Sequence, residues 1–253
     1  MKIYEYGSRD RKTLILIHGF QCPVEIWDDY VARYEKNYHV LVPCLPGHNP
    51  DCPEEFVSFE KNAEEIENFC LSLGKQQIFA VYGISMGGLQ TAILWQRNRL
   101  HFEKIILESA PLLPFPRIVA WYLTRTYLQL THKTQQRDEK TLKGAMSMMG
   151  EKNGPHFIRV LDHMTDNSLK TCLSQVFPYG LTGNCSMENT GLWYFYGGTA
   201  AELPFRKVAR YLKKAYPAGT TWCFAGKGHC EDVLKHPENR FSLLDAIFGG
   251  EPI

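Results

Sequence analysis

The chain has 253 residues, of which 44% are hydrophobic, enough for one α/β domain with a buried core and an inserted segment. Its 28 basic and 27 acidic side chains leave a net charge of +1, so no overall electrostatic field favours nucleic acid or an anionic membrane as a partner. The amino terminus has no apolar signal core and no apolar run is long enough to span a bilayer, so we expect a cytoplasmic protein without a membrane span.

Short apolar runs recur along the chain and predict the strands of a sheet. The first, rich in β-branched residues, is apolar on both sides of its pleat, as in a strand buried on two faces of a parallel sheet. The predicted strands are 13–17, 38–42, 78–81, 104–107, 192–196 and 220–224.

Segments with apolar residues at helical spacing separate these strands. They cover 24–34, 58–73, 88–97, a stretch after 204 and a final helix through 241–248. Ser58 is a candidate N-cap and Gly74 a candidate stop for the second of them. Strands that alternate with helices predict right-handed crossovers and therefore an α/β fold with a mostly parallel sheet flanked by helices.

The alternation is interrupted after the strand that ends near Leu107. Residues 112–185 show only helical spacing, with aromatic and methionine side chains such as Trp121 and Met148. We predict that 112–185 form a helical cap, with 1–111 and 186–253 as the core. The apolar cap residues would either pack on the core or line a pocket for an apolar substrate, and the pattern favours neither.

The segment Gly83-Ile84-Ser85-Met86-Gly87 lies between an apolar strand and a helical segment. Its G-x-S-x-G pattern in that context is typical of a nucleophile elbow, a sharp turn that raises a serine above the end of the sheet. The flanking glycines are required because side chains there would collide with the adjoining strand or helix. The sequence therefore predicts Ser85 as a nucleophile.

Four motifs in order give the chain its resemblance to a known family. They are His18-Gly19, Leu45-Pro46-Gly47-His48, the elbow around Ser85, and Gly228-His229 after the last strand. With them the chain resembles the α/β-hydrolase-fold serine hydrolases that carry a cap. The resemblance covers nearly the full length and implies the α/β-hydrolase fold.

The same resemblance implies roles for individual residues. Ser85 would be the nucleophile and His229 its general base, while His18 and His48 would be mainly structural. The oxyanion hole would consist of backbone N–H groups of Met86 and Phe20, with Gln21 as the alternative to Phe20.

The acid that orients His229 is the point at which the sequence departs from the common family pattern. Many family members carry it about three residues beyond the glycine that ends the penultimate strand, but that count reaches Ala200 or Ala201. Glu202 lies nearby, yet a carboxylate before a helix start already has a dipole-stabilising role. We favour Glu108, which ends a strand in apolar surroundings and must meet a cationic or hydrogen-bonding partner, and keep Glu202 as the alternative.

These residues predict hydrolysis of a carboxylic ester or thioester through an acyl-serine intermediate on a small, apolar acyl substrate. The eight cysteines show no C-x-x-C pair or ligand spacing, so neither structural zinc nor a disulfide framework is indicated, and we expect no metal and no cofactor. The alternatives are an acyltransferase or perhydrolase with the same triad, or a catalytically quiet protein that binds a small ligand.

Overall fold

Seven strands form one sheet in the computed structural model, which describes residues 1–51, 54–183 and 185–250. The strands lie in the order β1-β3-β2-β4-β5-β6-β7, with β1 antiparallel to β3 and every other pair parallel. The strands are β1 (Lys2–Tyr6), β2 (Thr13–Ile17), β3 (His39–Cys44), β4 (Gln77–Ile84), β5 (His101–Glu108), β6 (Gly191–Gly197) and β7 (Thr220–Phe224). The predicted α/β class with a mostly parallel sheet is confirmed.

All six predicted strands are present, and the structure adds β1. This strand pairs with β3 and stands at one end of the strand order, so it is an edge strand, and its residues are mostly half-buried. Alternating polar and apolar residues in a single short segment gave too weak a pattern to identify it. By contrast, every residue of β2 is buried, as its continuous apolar run predicted.

Helices cover both faces of the sheet. They are α1 (Asp28–Tyr34), α2 (Phe59–Ser72), α3 (Met86–Arg97), α4 (Arg117–Gln135), α5 (Glu139–His163), α6 (Asp166–Val176), α7 (Leu203–Ala215), α8 (Glu231–Lys235) and α9 (Glu238–Gly249). Short 3₁₀ turns precede α1 and α7, at Val24–Trp27 and Ala200–Glu202. Ser58 caps α2 by accepting a hydrogen bond from the Lys61 N–H, as predicted.

Alternate residues of the strands supply two separate cores. From β2, Ile15 and Ile17 pack with α2, α3 and α7, whereas Leu14 and Leu16 pack on the opposite face with α1 and α9. The inner strands are thus buried on both faces of the sheet, whereas β1 and β7 at its edges are partly exposed. A site for a ligand is expected at the carboxyl ends, where the connecting loops meet.

Helices α4, α5 and α6 all lie between β5 and β6, within the segment that was predicted to interrupt the alternation. Helix α5 is kinked at Gly150, whose φ of 77° is not helical. The division of the chain into core 1–111 and 186–253 and cap 112–185 stays a prediction. Among the described residues, no helix combines the length and the apolar character needed to cross a membrane.

Candidate active site

Ser85 occupies a strained turn between β4 and α3. Its backbone has φ 50° and ψ −118°, outside the regions that residues with a side chain prefer. A Cβ at Gly83 would collide with the carbonyl oxygen of Gly87, and a Cβ at Gly87 would collide with that of Ile17. The turn therefore needs both glycines, and the Ser85 N–H anchors it by donating to the Glu108 carbonyl at 2.7 Å.

His229 follows β7 and meets the serine. The Ser85 hydroxyl lies 2.8 Å from His229 Nε2, a distance at which it donates a hydrogen bond to the neutral imidazole. The imidazole is partly exposed and its ring packs against that of Phe205, with the centroids 4.8 Å apart. The structure thus brings together the two residues that the sequence singled out as nucleophile and base.

Glu202 is the carboxylate that contacts His229. Its Oε1 accepts the Nδ1–H of His229 at 2.8 Å, while its Oε2 accepts the Ser109 hydroxyl at 2.6 Å and the Gly197 N–H at 3.1 Å. Burial raises the pKa of Glu202, but the hydrogen bonds from His229, Ser109 and Gly197 outweigh it and lower the pKa below its usual value. The side chain is therefore a carboxylate that fixes the imidazole with Nε2 toward Ser85.

The prediction that Glu108 contacts His229 is wrong. Its carboxylate accepts hydrogen bonds from Arg240 Nη2 at 3.0 Å and Nε at 3.2 Å, and from the Tyr82 hydroxyl at 2.5 Å. Arg240 also donates to Asp232 at 2.8 Å. The reasoning that a buried Glu108 must meet a cation was correct, but the cation comes from α9, on the sheet face away from Glu202.

Sequence reasoning missed Ser109, which contacts Glu202, and Arg240, which pairs with Glu108 outside the site. Ser109 follows directly on Glu108 at the end of β5, and its position after a predicted strand was the one available signal. Arg240 lies in a helix whose apolar residues alone were used for its prediction, and nothing in its local sequence indicated a partner 132 residues away.

Backbone N–H groups near Ser85 are available for an oxyanion. Met86 is the first residue of α3, so its N–H has no carbonyl partner within the helix. The loop after β2 lies against the elbow, because a Cβ built on Gly19 would be 3.4 Å from the Ser85 Cβ. Phe20 and Gln21 follow Gly19 in this loop, and the choice between their N–H groups stays a prediction.

His18 and His48 are buried next to each other, with ring centroids 5.0 Å apart. The Leu45 N–H donates to His18 Nε2 at 3.0 Å, so the proton of a neutral His18 is on Nδ1, which donates to the Gly19 carbonyl at 2.8 Å. Burial lowers the pKa of His18 to about 4 and that of His48 to about 3. Both are uncharged supports for the loop that carries Phe20.

A cavity of about 300 Å³ opens on Ser85 and His229. Helices α4 and α5 form one wall, and the apolar lining includes Phe20, Tyr127, Met148, Met149, Phe157 and Leu234. The Phe20 ring packs edge-on against Tyr127 at 5.3 Å, and the Gln21 amide donates to the Thr131 hydroxyl at 2.8 Å. The inserted helices are therefore attached to the candidate oxyanion loop.

Metal ligands and disulfides are not assembled in the part of the chain that the structure describes. No group of three His, Cys, Asp or Glu side chains there could hold a metal ion. No disulfide joins the seven described cysteines, and Cys52 lies outside the described residues.

The chain is similar in sequence to characterised hydrolases. A sequence model of the Alpha/beta hydrolase family matches residues 14–241. A curated relative is monoacylglycerol lipase abhd6-B of Xenopus laevis, 24% identical over 110 residues, which are 42% of this chain and 33% of the lipase. The match thus spans a third of the length of that relative.

Solved structures resemble the chain over nearly its full length. A protein of Desulfitobacterium hafniense described within the alpha/beta hydrolase family gives a TM-score of 0.78 at 18% identity, covering 97% of this chain and 99% of that one. Carboxylesterase CesB of Bacillus subtilis gives 0.75 at 15% identity, covering 99% and 88%. At these identities the likeness shows a shared fold.

Proposed function

Because the chain belongs to the alpha/beta hydrolase family, we propose that it hydrolyses carboxylic esters or thioesters through an acyl-serine intermediate on Ser85. Two hydrogen bonds of 2.8 Å carry the proposal. One joins Ser85 Oγ to His229 Nε2, and the other joins His229 Nδ1 to Glu202 Oε1. A serine hydroxyl becomes a useful nucleophile when a base lies within hydrogen-bond reach and a third group orients that base.

In the first step, Ser85 Oγ attacks the substrate carbonyl carbon while His229 Nε2 takes the hydroxyl proton. Glu202 stabilises the imidazolium that forms, and the N–H groups of Met86 and of Phe20 or Gln21 donate to the tetrahedral oxyanion. The carbon–oxygen or carbon–sulfur bond to the leaving group then breaks, and the leaving group takes the proton from His229. An acyl ester on Ser85 remains.

In the second step, His229 removes a proton from water, and the resulting hydroxide adds to the acyl carbonyl. Collapse of this second tetrahedral intermediate releases the carboxylic acid and returns the proton to Ser85 Oγ. The sequence of steps needs no cofactor, because water is the only co-reactant.

The cavity supports an apolar acyl group as the part of the substrate that is recognised. Its lining from α4 and α5 is aromatic and methionine-rich, and methionine adapts to chains of differing shape. We include in the proposal that α4, α5 and α6 act as the cap that selects the substrate. Acyl transfer to an alcohol in place of water uses the same residues and is distinguished by its product.

Labelling with a fluorophosphonate probe tests the proposal without knowledge of the substrate. We expect the protein to be labelled on the peptide that contains Ser85 and to cleave p-nitrophenyl esters. The Ser85→Ala variant should lose labelling and about a thousandfold or more in turnover. Ser72→Ala, which removes an exposed hydroxyl on α2, is the matched control and should behave like the parent protein. Labelling that persists in Ser85→Ala would contradict the proposal.

A further inference from the structure

Helices α4 and α7 contain many basic residues and no acidic ones. Neither Arg117–Gln135 nor Leu203–Ala215 includes Asp or Glu, although the whole chain has 27 acidic side chains against 28 basic ones. The small net charge of the whole chain therefore does not describe these two helices. A local field can attract a partner that the total charge does not.

The first turns of α4 expose large apolar side chains. Ile118 is 71% exposed, Tyr122 63% and Trp121 56%, and their spacing of three and four residues puts them on one side of the helix. Arg125 continues this side, with its guanidinium 5.1 Å from the Trp121 ring. An exposed apolar cluster of this kind on a globular protein marks a surface that meets a partner.

Helix α7 presents a basic stripe beginning with an apolar residue. Leu203, Lys207, Arg210 and Lys214 recur at spacings of four, three and four, so they share one side of the helix. All four are exposed, whereas Val208, Ala209 and Leu212 on the other side are buried. Leu203 alone is 54% exposed.

A groove of about 310 Å³ joins the two helices. Val119 of α4 lines it together with Phe205 and Lys207 of α7. We call the surface made by the exposed side of the first turns of α4, this groove and the stripe of α7 the α4–α7 face.

The cations of the α4–α7 face lack carboxylate partners. Within 1–51, 54–183 and 185–250, no ion pair includes Arg117, Arg125, Lys207, Arg210 or Lys214. Elsewhere such side chains are paired, as Arg97 and Arg99 are with Glu67. The face thus keeps its full positive charge for an external anion.

We propose that the α4–α7 face docks on the surface of a membrane that contains anionic lipids. Interfacial helices combine aliphatic and aromatic side chains, which enter the acyl boundary, with Lys and Arg, which bind anionic headgroups. A nucleic acid would use the cations but would leave Ile118 and Leu203 without a favourable environment. The combination therefore favours a lipid surface.

Docking would bring the candidate active site close to lipid. Phe205 lines the groove and its ring packs against His229. This inference goes beyond the proposed hydrolysis and does not depend on it, because binding is measured without turnover.

Flotation with vesicles tests the docking. The protein should float with phosphatidylcholine vesicles that contain phosphatidylglycerol, and binding to pure phosphatidylcholine should be much weaker. A basic residue near an anionic surface contributes about fivefold in binding, so Lys207→Glu/Arg210→Glu should lower the partition coefficient by about 25-fold or more. Ile118→Ser/Tyr122→Ser should lower it by about tenfold, since exposed apolar area no longer enters the bilayer.

The matched control is Lys36→Glu/Lys75→Glu, which changes the net charge equally at residues outside the α4–α7 face. Lys75 Nζ donates to the Arg11 carbonyl and Arg11 to that of Glu35, beside the amino-terminal ends of the parallel strands. This variant should bind like the parent protein. Brominated lipid should quench tryptophan emission in the parent and much less in Trp121→Phe, because Trp121 enters the bilayer.

Three results would overturn the proposal. One is absence of binding to phosphatidylglycerol vesicles by the folded protein, with folding checked by circular dichroism. Another is an equal loss of binding in the control and in Lys207→Glu/Arg210→Glu. The third is tighter binding to duplex DNA that Ile118→Ser/Tyr122→Ser leaves unchanged, which would assign the face to nucleic acid instead.

Discussion

The Ser109 hydroxyl donates a 2.6 Å hydrogen bond to Glu202 Oε2, on the carboxylate whose other oxygen contacts His229. Ser109 is fully buried and has a φ of 46°, in the left-handed region. Its N–H donates to the Phe195 carbonyl at 2.8 Å, which holds the turn on β6. At the end of β5, the Ser109 hydroxyl thus contacts Glu202, whereas the carboxylate of the preceding residue, Glu108, points away from Glu202.

Removal of the Ser109 hydroxyl should weaken the site without abolishing it. We expect Ser109→Ala to lower kcat/KM by about tenfold, since a lost hydrogen bond to a charged group costs about 1.5–3 kcal/mol, only part of it in the transition state. A carboxylate with one donor fewer holds protons more tightly, so the acid limb of the pH profile should shift to higher pH. Ser109→Gly, which also suits a positive φ, should show the same shift with less loss of stability.

Glu202 and Glu108 should respond differently to the same substitution. Glu202→Gln removes the charge that stabilises the imidazolium and should lower turnover by about a thousand- to ten-thousandfold, with little change in Tm. Glu108→Gln removes one of the two carboxylates that pair with the buried Arg240 and leaves it with Asp232. The loss of that partner should destabilise the fold by about 3 kcal/mol. Probe labelling per folded molecule should then be nearly normal. A large loss of turnover in well-folded Glu108→Gln alone would contradict these assignments.

The elbow glycines should tolerate no methyl group. In Gly87→Ala the added Cβ meets the backbone carbonyl of Ile17, which cannot move without displacing β2, so we expect loss of probe labelling and a markedly lower yield of folded protein. Gly144 lies in α5 with open space around its Cβ position. Gly144→Ala should raise stability by about 0.5–1 kcal/mol, measured by urea denaturation, through its better helix propensity.

The buried pair His18 and His48 should make the fold sensitive to mild acid. Burial lowers the pKa of His18 to about 4 and that of His48 to about 3, while the unfolded chain has the ordinary value of 6.5. Below pH 6.5 the unfolded chain therefore binds protons that the folded protein does not, and stability falls until the folded pKa is reached. For His18 the loss amounts to about 3 kcal/mol.

In the parent protein the Pro46 carbonyl accepts a hydrogen bond from His48 Nδ1 at 3.1 Å. The variant His48→Asn keeps an N–H donor near this carbonyl. It should flatten the decline of Tm between pH 6.5 and pH 4. The exposed His163 provides the control, because His163→Asn should leave the slope unchanged. An equally steep decline in His48→Asn would show that other groups cause the acid sensitivity.

Local patterns predicted the parts of the site that are set by local geometry. The elbow needs glycines within two residues of Ser85, and His229 comes five residues after the end of the last strand, so both were visible in short stretches of sequence. The acid was missed because a 3₁₀ turn, Ala200–Glu202, inserts extra residues between β6 and α7 and moves the carboxylate beyond the usual count. Glu202 was also expected to serve the helix start, yet its side chain makes no capping hydrogen bond and turns to His229.

The pairing of Glu108 with Arg240 also has a consequence for the order in which the chain is synthesised. On the ribosome Glu108 emerges 132 residues before its cation, and β5 cannot bury that carboxylate at low cost until α9 arrives. His229 also belongs to this late segment. A nascent or prematurely terminated chain that lacks α9 would therefore retain an unpaired buried carboxylate and remain open to proteases. The contacts among Ser85, His229 and Glu202 would then be completed only in molecules whose carboxyl-terminal helix has docked.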